Sequence, residues 1–110
     1  MKPATFAPAY VALYPKLASL AIEHGYALAI HGSVQRDFDL ICVPWTESPS
    51  SPSDVVSAIV NGIDVQEVGA PAVKLHGRIS YTIAIHHFGV STTWIDLSFM
   101  PRSPSSGGET

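Results

Sequence analysis

The sequence predicts an α+β domain: a mainly antiparallel or mixed four-stranded sheet with two helices packed on one face. Two observations carry this. Ile79–Ile85 and Trp94–Phe99 alternate apolar residues with others at every second position, and Asp37–Val43 places Phe38, Leu40 and Cys42 in the same rhythm, which marks half-buried strands. Residues 9–24 and the stretch after Ser51 instead repeat their aliphatics at helical spacing. The resulting order of helix, strand, strand, helix, strand, strand fits a sheet covered on one side.

Each element follows in turn. Between Ala9 and His24 the apolar positions Leu13, Leu17, Leu20 and Ala21 form one helical stripe. Gly25 is placed to stop that helix in the left-handed conformation. Pro15 lacks the N–H of a helix interior, so the segment is either one helix starting near Pro8 or a shorter one starting at Pro15. Tyr26–Ile30 reads as a strand entering a His31-Gly32-Ser33 turn, and Asp37–Val43 returns from it as the second arm of an antiparallel hairpin closed by Pro44. Ser48–Ser53 is a loop that ends in a helix start, with Ser51 as cap, Pro52 in the first turn and Asp54 reaching back. Val55, Val56, Ile59 and Val60 give this second helix its buried stripe, and Asn61-Gly62 ends it. Residues 63–72 lack a clear period and read as a loop or an irregular edge strand. Ile79–Ile85 and Trp94–Phe99 supply the last two strands, joined through a turn at His87–Ser91 that contains Gly89.

A chain of 110 residues supports one small core, here residues 1–100, followed by a disordered Pro/Ser/Gly tail at 101–110. The single cysteine, Cys42, excludes an internal disulfide framework and suits a reducing compartment. With no signal-peptide pattern and no apolar run of membrane-spanning length, the expected location is the cytoplasm. Six Lys plus Arg against nine Asp plus Glu, a net charge of −3, argues against a general nucleic-acid binder, which needs a basic surface.

The chemistry concentrates in His31-Gly32-Ser33-Val34-Gln35-Arg36-Asp37-Phe38-Asp39 and in Asp96 of Trp94-Ile95-Asp96-Leu97. Asp37 and Asp39 are two apart and so leave the same face of a strand, opposite to Phe38. Asp96 interrupts an apolar run in the same way. If the two strands lie together, all three carboxylates share the open face of the sheet. Such oxygen ligands suit a hard cation, and Mg²⁺ is the expected metal. Gly32 and Ser33 allow a close turn whose N–H groups and hydroxyl face a phosphate. Lys74, His76 and Arg78 cluster around Gly77 and are candidate charge-neutralising groups for the same ligand. His86 and His87 are adjacent and point oppositely in an extended chain, and one cysteine gives no zinc spacing.

This pattern (Gly32-Ser33, then Asp37-x-Asp39, then Asp96 on a later strand) resembles the polymerase-β-like nucleotidyltransferase superfamily. Three residues separate the Gly-Ser pair from the acids, where that family usually has a short helix. The resemblance implies Mg²⁺ held by Asp37, Asp39 and Asp96, a nucleotide bound by its phosphates, and transfer of a nucleotidyl group to a hydroxyl. The chain is also similar to short uncharacterised proteins of bacteriophages and prophages, through His31-Gly32-Ser33, Arg36-Asp37-Phe38-Asp39-Leu40-Ile41, Lys74–Arg78 and Ile95–Arg102. That second resemblance implies a phage setting and admits an alternative, a non-catalytic accessory protein that binds a host protein.

Overall fold

A computed structural model describes residues 7–34, 37–63, 65–85 and 93–101. The His87–Ser91 turn and its neighbour His86, Arg36, and the tail from Arg102 onward lie outside the described residues. Within them the chain runs α1 (Ala7–Glu23), β1 (Tyr26–His31), β2 (Asp37–Pro44), α2 (Pro52–Ile63), β3 (Gln66–Val73), β4 (Ile79–Ile85) and β5 (Thr93–Phe99). The class is α+β as expected, but the sheet has five strands rather than four, in the order β1-β2-β5-β4-β3.

The additional strand is β3, in the region read as a loop or irregular edge. It pairs antiparallel with β4 through a register shift between Val68 and Ala72, the stretch that contains Gly69 and Pro71. All eight of its residues are exposed, so no burial alternation marks it in the sequence. A bulge and a proline are common ways of blunting a sheet edge.

The sheet is mixed. β1 and β2 form the expected antiparallel hairpin, and β4 runs antiparallel to β5, but β5 enters between β2 and β4 and lies parallel to β2. Parallel neighbours need a crossover connection. Here it comprises α2, β3 and β4.

α1 begins near Pro8 and carries Pro15 inside it, which settles the two sequence alternatives in favour of one long helix. Tyr10, Leu17 and Ala21 are its buried residues. It ends where expected: the N–H groups of His24 and Gly25 donate to the carbonyls of Ala21 and Ile22, and Gly25 takes φ +89°. A Cβ at Gly25 would lie 2.6 Å from Thr46 Oγ1 and 2.8 Å from Pro49 Cα, so glycine is required sterically as well. α2 is capped by Ser51, whose Oγ accepts the Asp54 N–H at 3.3 Å. It runs one residue past Gly62, and Gly62 faces the side chain of Leu20 on α1.

Period-two patterning decides which sheet face the helices cover. Phe38, Leu40 and Cys42 of β2 and Ile95, Leu97 and Phe99 of β5 are buried with Tyr10 and Leu17 of α1 and Val55, Val56 and Ile59 of α2. Burying each such side chain contributes about 1.5–3 kcal/mol, so this layer supplies most of the driving force. Tyr10 stacks on Phe38 with ring centroids 4.8 Å apart, and Tyr26 and Tyr81 meet Phe99 edge-on. The Tyr14 hydroxyl donates to the Leu28 carbonyl, tying α1 to the outer strand β1. Among the described residues, no helix is long and apolar enough to cross a membrane.

Candidate functional site

Among the described residues no helix covers the other face of the sheet, and the pairing registers lay out its side chains in rows. One row is His31, Asp39, Asp96, Thr82 and Val68, taken across β1, β2, β5, β4 and β3. Asp39 and Asp96 are direct Cα partners on adjacent parallel strands, a separation of about 4.8 Å. The acid near the C-terminal end thus stands beside the early acidic strand and shares its face. Asp37 lies two residues earlier on that face, where its partner is Trp94.

Rigid packing behind the acids fixes their position. Phe38, between Asp37 and Asp39, is fully buried under Tyr10, and Ile95 and Leu97 on either side of Asp96 are buried as well. The Tyr10 hydroxyl bonds to Thr93 and to the backbone at Trp94, so α1 grips the starts of both acid-bearing strands. Burial raises the Tyr10 pKa and outweighs the lowering by those hydrogen bonds. Tyr10 is not among the residues that the sequence marks as candidates for the site. Its only sequence signal is a place in the helical stripe one turn before Leu13.

Partial burial raises the Asp39 pKa above 3.8, the neighbouring Asp96 charge raises it further, His31 opposes the shift and Asp37 adds to it. Like charges directly opposite on a sheet are destabilising, so the pair favours a proton or a cation between them. Gly32 has φ +80°, and a Cβ there would sit 2.7 Å from Asp39 Oδ2. The turn backbone therefore lies against the Asp39 carboxylate. Ser33 is exposed immediately after it.

The basic cluster is elsewhere. Leu75–Gly77 form a single 3₁₀ turn, with His76 and Gly77 at φ +64° and +75°, and the Lys74 N–H donates to the Arg78 carbonyl at 2.6 Å. β4 runs opposite to β5, so Arg78 lies level with Met100, four residues along the strands from the Thr82–Asp96 row. At about 3.3 Å per residue that is about 13 Å from the acids. Asp39, Asp96, Gly32 and Ser33 are thus brought together with Asp37 close by, whereas Lys74, His76 and Arg78 gather at the other end of the sheet. Arg78 Nε is buried and makes no hydrogen bond among the described residues.

No group of three or more His, Cys, Asp or Glu side chains is arranged to enclose a metal ion among the described residues. The carboxylates of Asp39 and Asp96 are the donors best placed to share one. A separate shallow apolar groove of about 290 Å³ is lined by Ile22, Gly25, Tyr26, Ala27, Trp45 and Thr46. Trp45, 80 % exposed, forms its outer wall. No protein-family model matches the chain, and no curated protein sequence does.

Proposed function

We propose that the helix-free face around Asp39 and Asp96 binds a nucleotide or another phosphate-bearing ligand together with Mg²⁺, in the manner of a small nucleotidyltransferase-like domain. The observation that carries this is the direct pairing of the two aspartates across β2 and β5, with Gly32 lying against one of them. Mg²⁺ is usually held by one or two carboxylates plus substrate phosphates, keeping several waters. Two paired carboxylates and an adjacent Gly-Ser turn match that division of labour better than a closed protein cage would. Asp39 and Asp96 would hold the metal, with Asp37 on its bound waters. Gly32 and Ser33 would line the phosphates, and His31 would temper the charge on Asp39.

Bound Mg²⁺ would polarise the phosphoryl oxygens and lower the pKa of an attacking hydroxyl. This supports nucleotidyl transfer as the reaction of the site: the hydroxyl oxygen would bond to the α-phosphorus of a nucleoside triphosphate as the bond to the bridging oxygen breaks, with pyrophosphate leaving and the hydroxyl proton passing to solvent. Lys74, His76 and Arg78 would meet only a ligand long enough to extend about 13 Å along the strands. In a phage setting the host-cell cytoplasm is the place of action.

The test is thermal denaturation with Mg²⁺ alone, nucleoside triphosphate alone, and both. Binding to the folded state raises the melting temperature by mass action. The expected result is a clear rise only with both, abolished in Asp96→Asn. No rise with any combination of Mg²⁺ or Mn²⁺ and nucleotide refutes it. That result would favour a non-catalytic accessory protein that binds a host protein, which draws support from exposed Trp45 and Ile22 beside their apolar groove.

A further inference from the structure

The helix-free face carries opposite charge at its two ends, and between them runs an uncharged row of mostly small residues. At one end stand Asp37, Asp39 and Asp96. The middle row is Ala29, Ile41, Ser98, Ser80 and Ala72, with the two serine hydroxyls bonded to each other at 2.8 Å. At the other end are Val43, Met100, Arg78 and Lys74. On this face Val43, Val68, Trp94 and Met100 each leave 36–40 % of their surface in water. We infer that the face is an interface between two copies of this chain, packed sheet against sheet about a two-fold axis.

Charge fixes the orientation. A two-fold axis lying between the sheets and parallel to the strands would set acids over acids. An axis perpendicular to the strands and passing over the Ser98–Ser80 row reverses the strand direction instead. It lays the Arg78 row of one copy over the Thr82–Asp96 row of the other, with Arg78 over Thr82 and one strand away from Asp96. A lateral offset of about 4.8 Å is within reach of an arginine side chain. The contact is made twice, as an isologous interface requires. It would give the paired carboxylates a cation. The same operation sets Met100 over Asp96 and Val43 over Asp39, and the middle row packs on itself, as in aligned sheet sandwiches.

The area is sufficient. Five strands about 4.8 Å apart and about seven residues at 3.3 Å make a face of roughly 24 by 23 Å, so two copies bury on the order of 1,100 Å² or more, above the ~1,000 Å² expected of a specific interface. The inference does not use the Mg²⁺ reading. The two compete for the same carboxylates, so the test is run in EDTA without nucleotide.

Sedimentation equilibrium at low ionic strength should give a dimer of the 11.7 kDa chain, weakened by salt. Arg78→Glu and Asp96→Lys should each weaken self-association by at least ~30-fold while leaving the circular dichroism spectrum unchanged. Mixing the two variants should restore a heterodimer, because each contact then again joins opposite charges. A chain that stays monomeric at every concentration overturns the inference. So does a dimer indifferent to both substitutions, or a mixture that fails to associate. Because the mixture alone restores both contacts, the rescue separates a lost interface from a damaged fold.

Discussion

Replacing Asp39 by Asn tests the electrostatics of the acid row directly. The substitution keeps the side chain's shape and removes one of two carboxylates that face each other across β2 and β5. The Asp39 pKa in the folded protein lies above 3.8, chiefly through burial and then through Asp96. A carboxylate of raised pKa holds its proton more tightly folded than unfolded. Stability therefore falls as pH rises from below 3.8 through the folded value, and the penalty is complete above that value. The amide that replaces it has no such titration. Relief of one like-charge cross-strand pair is worth about 0.2–1 kcal/mol. At about 4–8 °C per kcal/mol for a domain of this size, Asp39→Asn should raise Tm by roughly 1 to 8 °C at pH 7. The gain should vanish at pH 3, where the wild-type carboxyl is protonated. Dilute protein in EDTA at the two pH values, followed by circular dichroism on heating, measures it. A lower Tm for the variant at pH 7, or an equal gain at both pH values, refutes the reasoning.

Two further outcomes follow from the same geometry. Gly32→Ala forces a side chain into φ +80° and sets its Cβ 2.7 Å from Asp39 Oδ2. It should cost about 1–3 kcal/mol in urea denaturation, and it should also erase the stabilisation by Mg²⁺ with nucleotide; retention of that stabilisation would detach the turn from the site. Cys42 is fully buried and its thiol pKa is pushed up to about 12 by burial. Ellman's reagent should therefore label it only at the rate of unfolding at pH 8, and immediately in denaturant. Rapid stoichiometric labelling of the native protein would contradict its place in the core.

Much of this architecture is legible in the sequence because burial and polarity alternate wherever a strand has one dry side. Phe38, Leu40 and Cys42 against Asp37 and Asp39, and Ile95, Leu97 and Phe99 against Asp96, are each read correctly as opposite faces. The hairpin, the Gly25 helix stop and the Ser51 cap have local chemistry of their own and are equally readable. β3 is not, since a fully exposed edge containing Gly69 and Pro71 has no dry side to pattern it. Nor does any local signal announce that β5 lies parallel to β2, because long-range pairing is set by the whole crossover. The separation of Lys74, His76 and Arg78 from the acids has the same origin. Their place along the face depends on β4 running opposite to β5, and spacing along the chain does not encode that direction.

The last strand in sequence is the middle strand of the sheet, and this governs how the molecule can be made. Until Thr93–Phe99 is in place, the β1–β2 and β3–β4 ribbons have no common neighbour, and half the buried layer has nothing to close on. Contacts that join distant parts of a chain form slowly. Any fragment ending before Thr93 should therefore behave as two unjoined ribbons with sticky inner edges, prone to clumping and devoid of the aspartate pair.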